Sequence, residues 1–347
     1  MLAAKLKTAK QLTAPPRGAT RKPAAPARSA ATPLRTDDLT KRPVSELEEL
    51  AAAQRKVLES RPNDEIARRN LSLIAIVSAN RILEAEAHGR ATDAASLVSL
   101  LRNSLNDTFW RTTQLVHDEP ARAQAALGLF YGEGILVTAD ANRSCDYFSK
   151  AANAGQNDAA FRASMCLAQT QPKLAQQFLE QAAIGGNPAA EERMGRSCIE
   201  GGAFDADCAK IWLQSAAAQG RVSAISVLAW LYVREGSAQS LAEAGKLYQT
   251  AAEAGDFAAQ NNLGEFFETG RGLAKDPQQA FNWYRKSAEG GFAPGQFNLA
   301  RLYAFGLGTT RDTAAARDWA FKAQAQGVAK AAELLRIISD AQARGEP

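Results

Sequence analysis

The sequence has few of the side chains on which enzyme active sites and metal centres are usually built. It contains two histidines, His88 and His117, and four cysteines, none of which forms a C-x-x-C pair. The chain therefore has few residues from which a histidine-based nucleophile relay or a zinc site could be built. The motifs H-E-x-x-H, G-x-S-x-G, Walker A and complete G-x-G-x-x-G are missing as well. We predict a non-enzymatic protein with no catalytic residue, no metal ion and no cofactor.

A long hydrophobic run is missing too. The most apolar stretch, residues 71–79, is far shorter than the roughly 20 residues of a membrane-spanning helix. Lysines interrupt residues 1–14, so no secretory signal is visible. We therefore expect a cytoplasmic protein without a transmembrane segment. The alternative is a secreted or targeted protein whose N-terminal tail acts as the targeting signal.

Aromatic residues are scarce, at 7%, although apolar residues make up 46% of the chain. Alanine accounts for much of the difference, and alanine favours helices and lets them pack closely. The composition therefore favours an all-α protein. The net charge of +4 is unevenly distributed, because residues 1–42 carry ten Lys or Arg against two aspartates, and the rest of the chain is mildly acidic.

The N-terminal segment, residues 1–43, is basic, rich in alanine and proline, and poor in large apolar side chains. Such a segment buries too little apolar surface to offset the entropy lost on ordering, so we predict disorder. Three roles fit its composition: a solubilising tail or linker, an organellar transit peptide, and a basic arm that contacts nucleic acid or an anionic membrane weakly.

Residues 44–118 have apolar side chains at helical spacing. Ser45 and Glu48 form a predicted capping box at the start of the first of these helices. The region is either a separate helical bundle or an N-terminal cap for the residues that follow. We predict helices over residues 46–58, 66–83 and 94–105.

An internal repeat covers residues 119–327. Six glycines, each closing an alanine-rich helix, follow one another at intervals of 31, 34, 35, 36 and 36 residues. Eight residues after five of them, a core residue precedes a small one, and a large or apolar side chain follows one helical turn later on the same face. The six glycines are Gly155, Gly186, Gly220, Gly255, Gly291 and Gly327.

Each repeat is predicted to be a pair of antiparallel helices. In the two clearest units the first helix ends at Gly270-Arg-Gly272 and Gly306-Leu-Gly308, because glycine readily takes the left-handed conformation that stops a helix. The second helix has a small residue followed three positions later by a large one. We expect small residues to face large ones across the hairpin, which packs the two helices closely. The large residues are Tyr147, Phe178, Trp212, Leu247, Trp283 and Trp319.

These residues resemble the Sel1-like repeat family, a relative of the tetratricopeptide repeats. The fifth unit is the most similar, with Asn262-Leu-Gly-Glu-Phe-Phe-Glu-Thr-Gly-Arg-Gly-Leu273 followed by Gln279-Ala-Phe-Asn-Trp-Tyr-Arg-Lys-Ser-Ala-Glu-Gly-Gly291. The second unit departs most, with Ala163-Ser164 in place of Leu-Gly and a shortened turn around Pro172. The resemblance implies an all-α α-solenoid of about six helix-hairpin repeats.

The last residues, 328–347, are predicted to form a capping helix and a tail. One side of this helix is apolar, as the end of a repeat array requires, because the final repeat otherwise exposes its stacking face. The apolar side chains are Leu334, Leu335, Ile337 and Ile338.

The four cysteines lie in the first three repeats. Cys198 and Cys208 fall on the two helices of one hairpin, so a bridge between them is conceivable. Small buried cysteines usually behave as hydrophobic side chains with a free thiol, and we expect free, partly buried thiols. The other two cysteines are Cys145 and Cys166.

The resemblance implies a scaffold or adaptor in a bacterial assembly, secretion or signalling process. We expect it to bind a partner protein or peptide, and no small-molecule substrate, through the concave surface of the array. One alternative is a secreted bacterial effector or host-interaction protein. Another is a hydrolase of the β-lactamase-like Sel1 type, but the chain contains no S-x-x-K motif that would supply its nucleophile.

Candidate partner contacts lie on the first helices of the repeats. Trp230 is two residues beyond the core Leu228, on another helical face, and tryptophan is favoured at binding hot spots. Side-chain amides can pair with an extended peptide backbone. In the alternative interpretation, Asn262 and Asn298 support the neighbouring repeat. The candidate partner-binding residues are Trp230, Gln260, Asn261, Asn262, Gln296 and Asn298.

Overall fold

The computed structural model describes residues 31–104, 112, 115, 120–200 and 204–344. This part of the chain forms seventeen α-helices and no β-strand. The predicted fold class, an all-α α-solenoid built from helix hairpins, is confirmed. The chain divides into two compact units, with the boundary between Met194 and Gly195.

Four helices precede the repeats, and the three long ones match the predicted helical region. The predicted capping box is wrong, because the second helix begins at Val44 and no side chain caps its N-terminus. A side-chain cap occurs instead on the third helix, where Asp64 accepts a hydrogen bond from the backbone N–H of Ala67. The four helices are α1 Thr36–Thr40, α2 Val44–Ser60, α3 Glu65–Ala87 and α4 Ala91–Ser104.

The predicted disorder over residues 1–43 is wrong for residues 31–43, and residues 1–30 lie outside the described part. The side chain of Leu39 is fully buried. Asn70 of α3 accepts a hydrogen bond from the N–H of Leu34 at 2.9 Å and donates one to the carbonyl of Thr32 at 2.8 Å. Burial of Leu39 and the hydrogen bonds of Asn70 therefore hold this segment on α3. The Pro- and Arg-rich composition of the segment did not indicate this order.

Helix α3 covers the first repeats, so the structure favours the cap over a separate bundle. Asn80 on α3 donates a hydrogen bond to the carbonyl of Arg122 at 3.0 Å and accepts one from Gln156 at 2.6 Å. Arg162 forms an ion pair with Glu86, also on α3. These contacts join α3 to the first helices of repeats 1 and 2 and to the turn between them.

Six hairpins follow; in five of them the two helices pack against each other, and in the third a disulfide joins the two helices. We refer to their two members as the first and the second helix of a repeat. They are α5 Pro120–Glu133 with α6 Ala141–Asn153, α7 Asn157–Leu167 with α8 Pro172–Ile184, α9 Pro188–Glu200 with α10 Ala206–Ala218, α11 Val222–Glu235 with α12 Ala238–Glu253, α13 Phe257–Thr269 with α14 Pro277–Glu289, and α15 Ala293–Phe305 with α16 Thr313–Ala325.

The six periodic glycines end the second helices, as predicted. All six have a positive φ, from +81° at Gly220 to +93° at Gly255. At Gly155 the next N–H bonds to the carbonyl of Ala151 and its own N–H bonds to the carbonyl of Ala152, which is the hydrogen-bond pattern of a Schellman cap. The spacing of these glycines therefore marks where one repeat ends and the next begins.

The first-helix glycines Gly128 and Gly264 pack against the side chain that directly follows the large residue expected to face them. A Cβ on Gly264 would lie 2.9 Å from the ring of Tyr284, and one on Gly128 would lie 2.7 Å from the ring of Phe148. Trp283, which was expected there, is half-buried and packs on the cluster around Leu263 instead. The reason is helical geometry. Two residues four positions apart point in more similar directions than two residues three positions apart, so the later side chain shares the face of the small residue.

Replacing Gly264 by leucine is expected to lower the free energy of unfolding by about 1–3 kcal/mol, because the new side chain overlaps the ring of Tyr284 and separates α13 from α14. Urea unfolding followed by circular dichroism measures this loss. The control is Glu265→Leu, an exposed neighbour in the same helix, which should change stability by less than about 0.5 kcal/mol. Equal stabilities of the two variants would refute the packing of this helix pair.

A last helix, α17 (Ala329–Ala343), caps the array, as predicted. Leu334 and Ile338 are buried in a cluster with alanines of α15 and α16, and Leu335 packs beside them. Ile337 was assigned to the same side, but it is 42% exposed. The buried stripe of α17 is therefore narrower than the run of apolar residues in its sequence.

The expectation of free thiols is wrong, because all four cysteines are paired. Cys145 on α6 bonds to Cys166 on α7, with 5.9 Å between their Cα atoms. Cys198 on α9 bonds to Cys208 on α10, with 6.0 Å between their Cα atoms. Both distances lie in the range that a disulfide can span. The first bridge joins two successive repeats, and the second closes one hairpin.

Candidate protein-binding groove

An open groove of about 390 Å³ lies in the C-terminal unit on the first helices of three successive repeats. Ile199 of α9, Val227 and Trp230 of α11, and Ala258 of α13 give it apolar walls. Charged and hydroxyl side chains lie around them, including Arg196, Glu200, Ser226 and Asp256. We call this the Trp230 groove. It has the mixture of an apolar centre and polar edges that protein-binding sites have.

Trp230 lies on the groove because of its place in the helix. Leu228 and Leu231 of α11 are buried. Trp230, two residues after Leu228, is about 200° around the helix from it and is 39% exposed. The structure therefore places this side chain on the free face that its spacing predicts, and its contact with a partner stays a prediction.

A cation lies close to two exposed rings beside the groove. The guanidinium carbon of Arg234, in the last turn of α11, is 5.1 Å from the ring centroid of Trp230 and 4.1 Å from that of Phe204. Phe204 is 44% exposed. Sequence reasoning missed this residue, because a phenylalanine between two helices gives no periodic signal.

Hydrogen bonds and a disulfide hold the walls in place. The hydroxyl of Ser226 donates to Oδ2 of Asp256 at 3.0 Å, while Oδ1 of Asp256 accepts from the N–H of Ala259 at 2.7 Å and caps α13. The Cys198–Cys208 bridge fixes α9 to α10 directly before Ile199. The groove is thus formed by restrained elements, which reduces the entropy lost when a partner binds.

The predicted glutamine contacts lie inside the array. Gln260 and Gln296 are only 6% and 5% exposed. Gln260 donates to the carbonyl of Ala252 on α12 at 3.1 Å, and Gln296 donates to the carbonyl of Ala288 on α14 at 3.5 Å. Both amides therefore connect a first helix to the preceding second helix.

The predicted asparagine contacts are also engaged within the chain. Asn298 on α15 donates to the side-chain oxygen of Asn261 on α13 at 2.9 Å, and the amide of Asn261 reaches Asn262 at 3.4 Å. Asn262 lies near the hydroxyl of Tyr248, and burial raises the pKa of that tyrosine to about 12. These contacts favour the interpretation that the asparagines support neighbouring repeats. A role in partner binding stays a prediction for them.

One half-buried ionic cluster joins repeats 5 and 6. Arg301 donates to Oε2 of Glu268 at 2.6 Å, and the hydroxyl of Tyr284 donates to the same oxygen at 3.0 Å. Burial acts to raise the pKa of Glu268, but the hydrogen bond and the positive charge of Arg301 outweigh it and hold this pKa below its usual value. The carboxylate is thus fully engaged in joining two repeats.

No group of three or more His, Cys, Asp or Glu side chains that could hold a metal ion occurs in the described ranges. His88 forms the C-cap of α3, and His117 lies outside the described residues. The helices between residues 31 and 344, where described, include none with the length and hydropathy needed to cross a bilayer.

A family model for the Sel1 repeat matches five stretches that together cover half of the chain. The stretch between the first two matches contains α7 and α8, so the hairpin with the least typical sequence still has the hairpin structure. A comparison with curated proteins found no match. The matched residues are 121–156, 188–220, 224–256, 257–292 and 293–328.

Two solved structures show the same repeat fold. One is c5321, described as a protective antigen present in uropathogenic Escherichia coli strains displaying an SLR fold, with 27% identity and a TM-score of 0.65. That match covers 86% of this chain and 65% of the other, so this chain spans less than two thirds of its length. The second is a Sel1 repeat protein from Oxalobacter formigenes, with 24% identity, a TM-score of 0.53 and coverage of 71% and 96%.

Proposed function

We propose a non-enzymatic scaffold function for this chain, which belongs to the Sel1-repeat family. In this proposal, the scaffold binds a partner protein through the Trp230 groove. The observation that carries the proposal is an exposed tryptophan on an apolar groove whose walls come from three repeats. Repeat arrays use such surfaces for partner proteins, and tryptophan and arginine dominate the energetics of protein interfaces.

The chemistry of the groove favours binding over catalysis. Its lining contains no histidine, cysteine or lysine. Ser226 and Asp256 are adjacent, but the serine hydroxyl donates a hydrogen bond to a carboxylate that also caps α13, so both groups stabilise the walls. A hydrolase needs an activated nucleophile, and no histidine or lysine that could act as the base is among the lining residues.

A second proposal concerns the compartment. The sequence favoured the cytoplasm, with export as the alternative, and the two disulfides support export. Disulfides form and persist in oxidising compartments and are rare in the reducing cytosol. Fractionation of cells that produce the tagged chain, with thiol labelling before lysis, tests this. Recovery in the cytoplasm with all four cysteines labelled would refute it.

Replacing Trp230 by alanine is expected to reduce partner recovery at least about tenfold, because truncating a hot-spot tryptophan usually costs 2 kcal/mol or more. The measurement is a crosslinking pull-down quantified by mass spectrometry. Phe321→Ala is the matched control, since this ring on α16 is 54% exposed and lies outside the groove.

The melting temperatures of both variants are compared with the wild type, since an exposed side chain contributes little to stability. Partner recovery that is unchanged in Trp230→Ala but falls in Phe321→Ala would contradict the proposal and indicate binding on the second helices.

A further inference from the structure

We infer that the partner of the Trp230 groove presents an acidic side chain next to a large apolar one. In this arrangement the carboxylate pairs with Arg234, and the apolar side chain enters the groove beside Trp230. The inference rests on the proposed scaffold function and adds the chemistry of the segment that is recognised.

The first argument is the state of Arg234. Its guanidinium carbon lies 4.1 Å from the ring centroid of Phe204 and 5.1 Å from that of Trp230. Its carboxylate neighbour in sequence, Glu235, pairs with Lys210 instead. Among the described residues, no carboxylate forms an ion pair with Arg234, and the two neutral rings attract its charge without cancelling it.

The second argument is geometric. A guanidinium carries its N–H groups at the edge of its plane, and these groups match the two oxygens of a carboxylate. The two ring contacts also restrict the arginine side chain before binding, so less conformational entropy is lost when the pair forms. Arg234 is exposed, which leaves this edge accessible.

The third argument is the size and position of the groove. Its volume of about 390 Å³ is near the lower end of the roughly 300–1,000 Å³ found for ligand pockets, which suits one or two side chains and not a whole helix. Its apolar walls at Ile199, Val227 and Ala258 favour an aromatic or a large aliphatic side chain.

The charges around the groove place the acidic group at one end. Glu200 and Asp256 line the groove together with one cation, Arg196, so a carboxylate directly over the groove meets a lining with a net negative charge. Arg234 is not among the lining residues, and its guanidinium carbon lies 5.1 Å from the ring centroid of Trp230, so a carboxylate paired with Arg234 lies beside that ring. An extended chain advances about 3.3 Å per residue, so the acid and the apolar side chain lie within about three residues of each other.

The test is selection of displayed random peptides on the wild-type chain, with counter-selection on Trp230→Ala. We expect enrichment of peptides with Asp or Glu within about three residues of Trp, Phe, Leu or Ile. Enrichment of Trp230-dependent peptides without an acidic residue would overturn this inference and leave the scaffold function standing. Failure to enrich any Trp230-dependent peptide would overturn both.

A second measurement isolates the arginine. Arg234→Gln is expected to weaken an enriched peptide at least about tenfold, as is replacement of the peptide's acid by its amide, because a charge-assisted hydrogen-bonded pair is lost. Arg271→Gln is the control, since this exposed arginine lies in a turn outside the groove. Equal affinity for wild type and Arg234→Gln, with both chains equally folded, would overturn the assignment.

Discussion

Replacing Gly308 by alanine is expected to lower the free energy of unfolding by about 3–5 kcal/mol, which is large for the addition of one methyl group. Gly308 has a φ of +69°, and a Cβ there would lie 2.0 Å from the carbonyl oxygen of Pro277. The neighbour is backbone at the start of α14, so it cannot rotate away. Urea unfolding followed by circular dichroism measures the loss.

The same variant at Gly327 is a matched control. Gly327 also has a positive φ, +86°, but a Cβ there meets nothing within 4 Å. Gly327→Ala should therefore cost only the left-handed backbone term, about 1–2 kcal/mol. Equal losses in the two variants would contradict a close approach between the turn of repeat 6 and α14.

This pair of variants tests whether the turn of one repeat approaches the preceding second helix closely. The second glycine in the turn of repeat 5, Gly272, is similar, because a Cβ there would lie 2.3 Å from the carbonyl oxygen of Leu241. In both repeats the turn after the first helix approaches the start of the preceding second helix. The absence of a side chain at this glycine therefore allows two successive repeats to pack closely.

Removing either disulfide is expected to lower the free energy of unfolding by about 3 kcal/mol, because the bridges close loops of 21 and 10 residues in the unfolded chain. The variants are Cys145→Ser with Cys166→Ser, and Cys198→Ser with Cys208→Ser. Thermal unfolding with and without a reducing agent measures the loss.

The variant that lacks all four cysteines provides the control, because a reducing agent should not change its unfolding. Alkylation of the unfolded wild-type chain without reduction should leave its mass unchanged. Four alkylated cysteines under those conditions would refute both bridges.

The sequence was sufficient for the repeats because their signals are local. A helix end depends on a glycine and on residues within two helical turns of it, and the glycines from Gly155 to Gly327 all occupy the predicted places. The exposure of Trp230 also followed from helical geometry, because α11 buries Leu228 on another face. Position along one helix is information that a single sequence contains.

Other features depended on how neighbouring helices are placed against each other. Tyr284, and not Trp283, faces Gly264, which is decided by the rotation of α14 about its own axis. The same holds for the amides of Gln260 and Gln296, which the sequence assigned to partner binding and the structure places against buried carbonyls. A periodic pattern locates the buried face of a helix to within one residue. This precision is not sufficient to decide which side chain faces Gly264 or whether the two glutamines are exposed.

The sequence by itself determined the helices of the repeats, the repeat period, the C-terminal capping helix and the family, since each depends on local patterns or on a period of about 36 residues that recurs along the chain. Only the tertiary structure decided the pairing of Cys145 with Cys166, the packing of residues 31–43 on α3, and the closeness of Arg234 to both Phe204 and Trp230. The physical reason is that a disulfide, a buried amide and a cation–π contact require atoms within a few ångströms of each other. Such distances are set by the packing of helices, and residue spacing does not encode them.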